Sequence, residues 1–196
     1  TVNVIGTGGS LTASLNDALE SHLSGKLYGN LAIDATTFTT AAELNAITAR
    51  IVTNSVVTVN ALNMSATQLD AVSANAAYIN SISNLTVTAS NSAADITTLF
   101  SKTANGSVLV NALTMSADQK GSVAAGIVKV SAISNLTLAS SEDPTEMGQL
   151  FSKTADLAVA VNALTMSAEQ KDAMSSSFGK ISVITALTFA SSEDAS

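Results

Sequence analysis

A repeat constrains this chain more than any other feature of its sequence. The string Val-Asn-Ala-Leu-Thr-Met-Ser-Ala occupies residues 110–117 and recurs at 161–168, with a near copy at 59–66. Ile-Ser-Asn-Leu-Thr occupies 82–86 and 133–137, with a degenerate copy at 184–188. Phe-Ser-Lys-Thr-Ala stands at 100–104 and again at 151–155. The shared leucines, Leu62, Leu85, Leu113, Leu136, Leu164 and Leu187, follow one another at alternating intervals of 23 and 28 residues, a period of 51 built from two half-units. Self-similarity at a fixed period marks stacked units, none of which can bury its apolar face alone.

Each half-unit reads as a strand followed by a short helix. Residues 107–116 are rich in Val, Leu and Thr and predict a strand, with Leu113 and Met115 on its buried face and Thr114 on the other. A capping box follows, Ser116 with Gln119, and the same box is written by Ser65 and Gln68, by Ser167 and Gln170, and by Thr40 and Glu43. Asp143, Pro144 and Glu146 open another helix with an acidic cap and a proline at its first position. Apolar residues at helical spacing then define inward faces: Leu11, Leu15 and Leu19; Leu44 and Ile47; Ile96, Leu99 and Phe100; Val123 and Ile127; Met147, Leu150 and Phe151.

These units fall at 1–25, 26–50, 51–78, 79–105, 106–129, 130–156, 157–180 and 181–196, the last a strand without its helix. One proline and the lack of a low-complexity linker predict a single continuous domain, 1–196. Strand, helix and strand in one sense predict a parallel sheet with right-handed crossovers, and hence a right-handed parallel β/α solenoid of about 7.5 units. The six leucines are expected to stack as one buried ladder. Parallel strands repeat at about 4.8 Å and packed helices at about 8–10 Å, so the stack is expected to curve modestly with its helices outside.

Composition narrows the function. Hydrophobic residues make up 46% of the chain and charged residues 12%, about half the usual share, which excludes a disordered chain. The net charge is −7 with only eight basic residues, so no nucleic-acid partner is expected. There is no cysteine to build a disulfide framework or a thiolate metal site. No apolar run reaches the 18 or so residues of a membrane-spanning helix, so no membrane insertion is expected. A first residue that is not Met suits a processed or excised mature protein; an acidic, cysteine-free chain rich in Ser and Thr is expected to be secreted, extracellular or at the cell surface.

Candidate chemistry is sparse, and no catalytic residue is assigned. His22, the sole histidine, stands beside a terminal helix and reads as a solvated surface residue rather than part of a Ser-His-Asp triad. Gly-Thr-Gly-Gly-Ser at 6–10 has the position of a phosphate loop but lacks its Lys-Ser/Thr ending, and reads as a tight turn. Glu142 with Asp143, and Glu193 with Asp194, place acids in matching turns. Calcium is conceivable there, yet helix capping explains the first pair, and no cofactor or metal is expected. Asn-Leu-Thr at 84–86 and 135–137, Asn-Met-Ser at 63–65 and Asn-Gly-Ser at 105–107 fit the glycan acceptor pattern. Thr86, Thr114, Thr137, Thr165 and Thr188 are expected to line up on the polar sheet face, where they could meet a sugar, ice or a neighbouring filament, or serve merely as good strand formers.

Thr-Ala-Ala-Glu-Leu-Asn-Ala-Ile at 40–47, Ile-Ser-Asn-Leu-Thr at 82–86 and Ser-Ala-Ala-Asp-Ile at 92–96 resemble repeats of giant cell-surface proteins of marine cyanobacteria and other bacteria. The Thr-Ala-Ala-Glu-Leu-Asn string is also similar to one found in phage tail fibres. The resemblance implies an extracellular fibre, adhesin or surface-layer role and carries no catalytic residues. The strict 51-residue pairing departs from the more uniform repeats of those families.

Open ends complete the expectation. The first unit opens with a strand containing Val2, Val4 and Ile5, and the last closes on Ile184, Leu187 and Phe189. Unpaired strand edges recruit further strands. A head-to-tail contact between these edges is expected to build a homopolymer, a secreted structural filament or surface array. The alternative is a ligand-binding segment of an adhesin or phage fibre.

Overall fold

A computed structural model describes residues 30–51 and 55–188. Strands and helices alternate along them. The strands are β1 (Leu31–Ile33), β2 (Val57–Asn60), β3 (Ser81–Ser83), β4 (Thr86–Val87), β5 (Val108–Asn111), β6 (Val130–Ser134), β7 (Leu136–Leu138), β8 (Val159–Asn162) and β9 (Ile181–Thr185). The helices are α1 (Ala41–Thr48), α2 (Ala66–Ala74), α3 (Ala93–Phe100), α4 (Ala117–Ala125), α5 (Pro144–Phe151) and α6 (Ala168–Ser175). The strands form three parallel sheets of three, in the orders β1-β2-β3, β4-β5-β6 and β7-β8-β9. The fold is α/β, as the strand–helix alternation predicts.

Every expected capping box is present. The hydroxyls of Thr40, Ser65, Ser116 and Ser167 each accept from the backbone N–H three residues on, and Glu43, Gln68, Gln119 and Gln170 answer in the other direction. Asp143 caps α5 through the N–H groups of Thr145 and Glu146, ahead of Pro144. The three glutamines also have a role beyond their own helices. Gln68 Nε2 donates to the carbonyls of Ala35 and Phe38, Gln119 Nε2 to those of Ala89 and Asn91, and Gln170 Nε2 to those of Ser140 and Glu142. One side chain thus caps a helix and fastens the turn of the preceding unit, satisfying carbonyls that burial would otherwise leave unpaired.

Helices this short do not hold alone, so each leans on the next: α1 on α2, and so on to α6. Where α4 ends, Gly126 lies over the ring of Phe100, and a Cβ there would stand 2.3 Å from Phe100 Cδ2. The predicted inward residues Leu44, Ile47, Ile96, Leu99, Phe100, Val123, Met147, Leu150 and Phe151 are all buried, and Ile127 packs against them. Leu11, Leu15 and Leu19 lie outside the described residues.

The leucine ladder requires correction. Leu85 and Leu136 are buried, but Leu62, Leu113 and Leu164 are each 55% exposed and Leu187 is 38% exposed. For the first five leucines the cause is a single backbone conformation; Leu187 follows the same conformation at Ala186 but stands at the last described rung. Asn84 and Asn135 adopt positive φ of 53°, and each follows an outward serine, so two successive residues point outward and the next leucine turns in. Without that flip the strict alternation of a strand would leave the leucine outside. Leu62, Leu113 and Leu164 follow an ordinary alternation of buried Val59, Val110 or Val161 and buried Ala61, Ala112 or Ala163, and so emerge on the surface.

The same flip revises the half-unit. Val59 faces Ile82 and Val110 faces Ile133, steps of 23 residues, and so do Val87 with Val110 and Val161 with Ile184. Five residues remain in each period, from Ile82 to Val87 and from Ile133 to Leu138. They carry the chain from one sheet into the next, β3 directly into β4 and β6 into β7. The interval of 28 is therefore a strand step plus this jog rather than a longer unit.

Candidate functional site

The sheets turn one face inward. A single hydrophobic cluster runs from Ile33 to Ile181 through all three, joined by the inward sides of the helices. Among the described residues nothing covers their other face. It presents Thr58 and Ser81 in the first sheet, Thr86, Leu109 and Ala132 in the second, and Thr137, Ala160 and Val183 in the third. The five predicted threonines do not form one ladder on it. Thr86 and Thr137 stand in β4 and β7, opposite Leu109 and Ala160, whereas Thr114 and Thr165 sit in turns with φ of 61° and 64°, and Thr188 follows β9. All five are exposed. The turns that hold Thr114 and Thr165 leave the sheet, because these residues follow the exposed leucines rather than the inward ones.

Of the predicted assembly residues, Ile184 lies in β9 beside Val161 and Leu187 is exposed just beyond it. Val2, Val4, Ile5 and Phe189 lie outside the described residues, as do His22, the glycine-rich turn at 6–10, Glu193 and Asp194. Asn84 and Asn135 use their side chains within the fold, donating to Asn60 Oδ1 and Asn111 Oδ1 at 3.0 Å. Asn60 and Asn111 in turn accept from the N–H of Leu62 and Leu113. Ala186, with φ of 53°, holds the third such position without an amide.

Glu142 is not free for an ion. Its Oε1 lies 2.7 Å from Lys120 Nζ, and its Oε2 accepts from the N–H of Ala139 at 2.6 Å. Lys120 also donates to the carbonyl of Thr137 at 2.6 Å. Both side chains are nearly closed to solvent, which is tolerable only because each is paired and hydrogen-bonded. Asp143 is occupied as the α5 cap. Among the described residues no three His, Cys, Asp or Glu side chains gather.

Beside this ion pair a cavity of about 410 Å³ opens on the outer face, where the second sheet gives way to the third. Thr137, Ala160, Val183 and Thr185 form its floor, and Met115, Ser116 and Lys120 its wall. Its size falls in the range of small-molecule sites. Sequence reasoning missed both the ion pair and the cavity, although the repeat carries a signal for them. Positions 69, 120 and 171 hold Leu, Lys and Lys, while positions 91, 142 and 193 hold Asn, Glu and Glu. The two columns change from neutral to charged together, with opposite signs, as contacting positions should.

No protein-family model, no curated protein and no solved structure matches the chain. Among the described residues no helix is long and apolar enough to cross a membrane.

Proposed function

We propose that this chain is a non-enzymatic structural subunit, a continuous right-handed parallel β/α solenoid that builds an extracellular filament or surface array by head-to-tail stacking. The observation that supports the reading is the continuity of the core: one hydrophobic cluster passes through three sheets. The kinked passages at Asn84 and Asn135 extend it. Ile82 and Ile133 each pair with an earlier strand and, on their other side, with Thr103 and Thr154. The strands are then rungs of one stack, staggered at every second step.

Ile184 holds the place of Ile82 and Ile133, and among the described residues β9 pairs with β8 alone. A rung from a neighbouring molecule, with Val2, Val4 and Ile5 as the incoming strand, would complete it by strand addition. Such a contact is heterologous and does not close, so it propagates as a fibre. Glu43 and Asp143 are engaged at helix caps, and Lys120 with Glu142 and Lys180 with Asp156 in ion pairs, which favours structure over catalysis, and the resemblance to giant surface proteins favours an extracellular setting.

Deleting residues 181–196 tests the reading. The truncated chain should fold and remain unpolymerised, while the full chain forms filaments; filaments that survive the deletion would defeat it. A second reading, an adhesin or phage-fibre segment that binds sugar or ice, draws on exposed Thr86 and Thr137 and on the cavity beside Ala160. A monomeric full chain retained on a glycan surface would favour that reading.

A further inference from the structure

Asn105 is the one asparagine of the sequence that precedes a glycine. It stands with Gly106 in the exposed turn between α3 and β5. Such a pair carries its own chemistry. The backbone nitrogen of the second residue lies within reach of the side-chain amide carbon of the first, and ring closure within one chain needs no second molecule to be captured. Most side chains obstruct that approach; glycine has none, and its backbone is the freest. At Gly106 the place of a Cβ meets no atom beyond its chain neighbours within 4 Å. What restrains the nitrogen is a hydrogen bond, from the Gly106 N–H to the Val128 carbonyl at 2.9 Å, and an exposed turn opens such a bond locally while the core stays folded.

One period later the same turn holds the acid. Asp156 and Leu157 replace Asn105 and Gly106, and Lys180 Nζ lies 2.9 Å from Asp156 Oδ1. Lys129 stands where Lys180 does, and with an amide at position 105 it donates instead to the carbonyl of Thr103, at 2.9 Å. From this juxtaposition we propose that Asn105 is a self-modification site: the folded chain deamidates there without an enzyme, and Lys129 takes up the resulting carboxylate. The Gly106 nitrogen bonds to the Asn105 side-chain carbon, its proton leaves with the amide nitrogen as ammonia, and a succinimide ring remains. Water then opens the ring. Cleavage of the new bond gives an aspartate at position 105, and cleavage of the old peptide bond gives an isoaspartate. The ammonia escapes, so the step runs one way. An exposed ion pair is worth little, so Lys129 accommodates the product rather than drives the reaction. The same step removes the acceptor amide of Asn-Gly-Ser at 105–107. The proposal does not depend on head-to-tail stacking.

The full chain, held warm at mildly alkaline pH, tests it by isoelectric focusing, intact mass and peptide mapping. A more acidic species with the mass of an amide exchanged for an acid should accumulate, with aspartate and isoaspartate at position 105. Urea-unfolded chain should convert faster, because the bond from Gly106 to Val128 is then gone. Gly106→Leu, which copies Leu157 of the next unit, should slow conversion severalfold. Asn105→Gln, on an exposed residue whose longer side chain misplaces the amide carbon, should block it at this position. A crystal structure of Asn105→Asp should place Lys129 Nζ within about 4 Å of the new carboxylate. A folded chain that stays unmodified while the unfolded chain converts, conversion mapped away from position 105, or Gly106→Leu converting as fast as wild type would overturn the site. Lys129 still turned to Thr103 alone in Asn105→Asp would overturn its role.

Discussion

Lys120 on α4 holds its Nζ 2.7 Å from Glu142 Oε1 in the turn before α5, with both side chains almost fully enclosed. One period earlier the same places hold Leu69 and Asn91. Asn91 Oδ1 accepts from the N–H of Thr88, as Glu142 does from Ala139, while its buried Nδ2 has no hydrogen-bond partner. The repeat thus contains a charged and a neutral solution to one contact. Lys120→Met should cost about 3 kcal/mol in urea denaturation, because it strands a buried carboxylate. Lys120→Leu with Glu142→Asn, which copies the earlier unit, should stay within about 1 kcal/mol of wild type. A double variant as unstable as the single one would show that the two contacts are not equivalent.

Leu136 and Leu113 occupy matching words in the sequence, yet Leu136 is buried in β7 and Leu113 is exposed in the turn after β5. Leu136→Ala should cost about 2–5 kcal/mol by opening a cavity in the core. Leu113→Ala should change stability by no more than about 0.5 kcal/mol, as surface substitutions do. Similar losses at both positions would restore the single buried ladder and refute the backbone flip at Asn135.

That pair shows where the sequence was legible. The period, the caps and the helix faces could be read because each rests on local chemistry: Ser116 with Gln119, Asp143 with Pro144, Ile96 with Leu99 and Phe100. The face of a leucine depends instead on the phase of its strand, which one left-handed residue reverses. The signal lay in the residue before it. Asn84 and Asn135 directly precede the buried leucines, whereas Ala61, Ala112 and Ala163 precede the exposed ones, and Asn tolerates the left-handed region far better than Ala. Ala186 adopts it without that advantage, so residue type alone did not mark the flip. The cavity beside Ala160 was illegible for a different reason: it forms between strands that the jog displaces, and no local string records a displacement.

Gly106 and Leu157 occupy the same turn of successive units, with φ of 66° and 55°. A leucine pays for that conformation in steric strain, and Leu157 is 69% exposed and gains little by burial. Leu157→Gly relieves the strain and gives back part of it as unfolded-state entropy. The net expectation is a gain of roughly 0.5–1 kcal/mol, seen as a higher melting temperature. A lower one would mean that the leucine side chain has an attractive contact in solution.

Asp70 is held above its ordinary value of 3.8 by burial, and further by the negative charge of Asp95. A raised carboxyl pKa means that the fold favours the protonated form. That contribution is complete below the unfolded value of 3.8 and is lost as the pH rises through the higher folded value. Asp70→Asn should therefore raise the melting temperature at neutral pH, with the difference fading as the pH falls below 3.8. A difference independent of pH would assign the effect to something other than ionisation.

Stacking is the central claim, and electron microscopy of the purified 196-residue chain tests it most directly. With one strand rung about every 4.8 Å, a subunit of seven to eight rungs extends roughly 35–40 Å along the axis. The account predicts fibres with that axial repeat, lengthening as concentration rises. Isolated particles of uniform size at every concentration would contradict it.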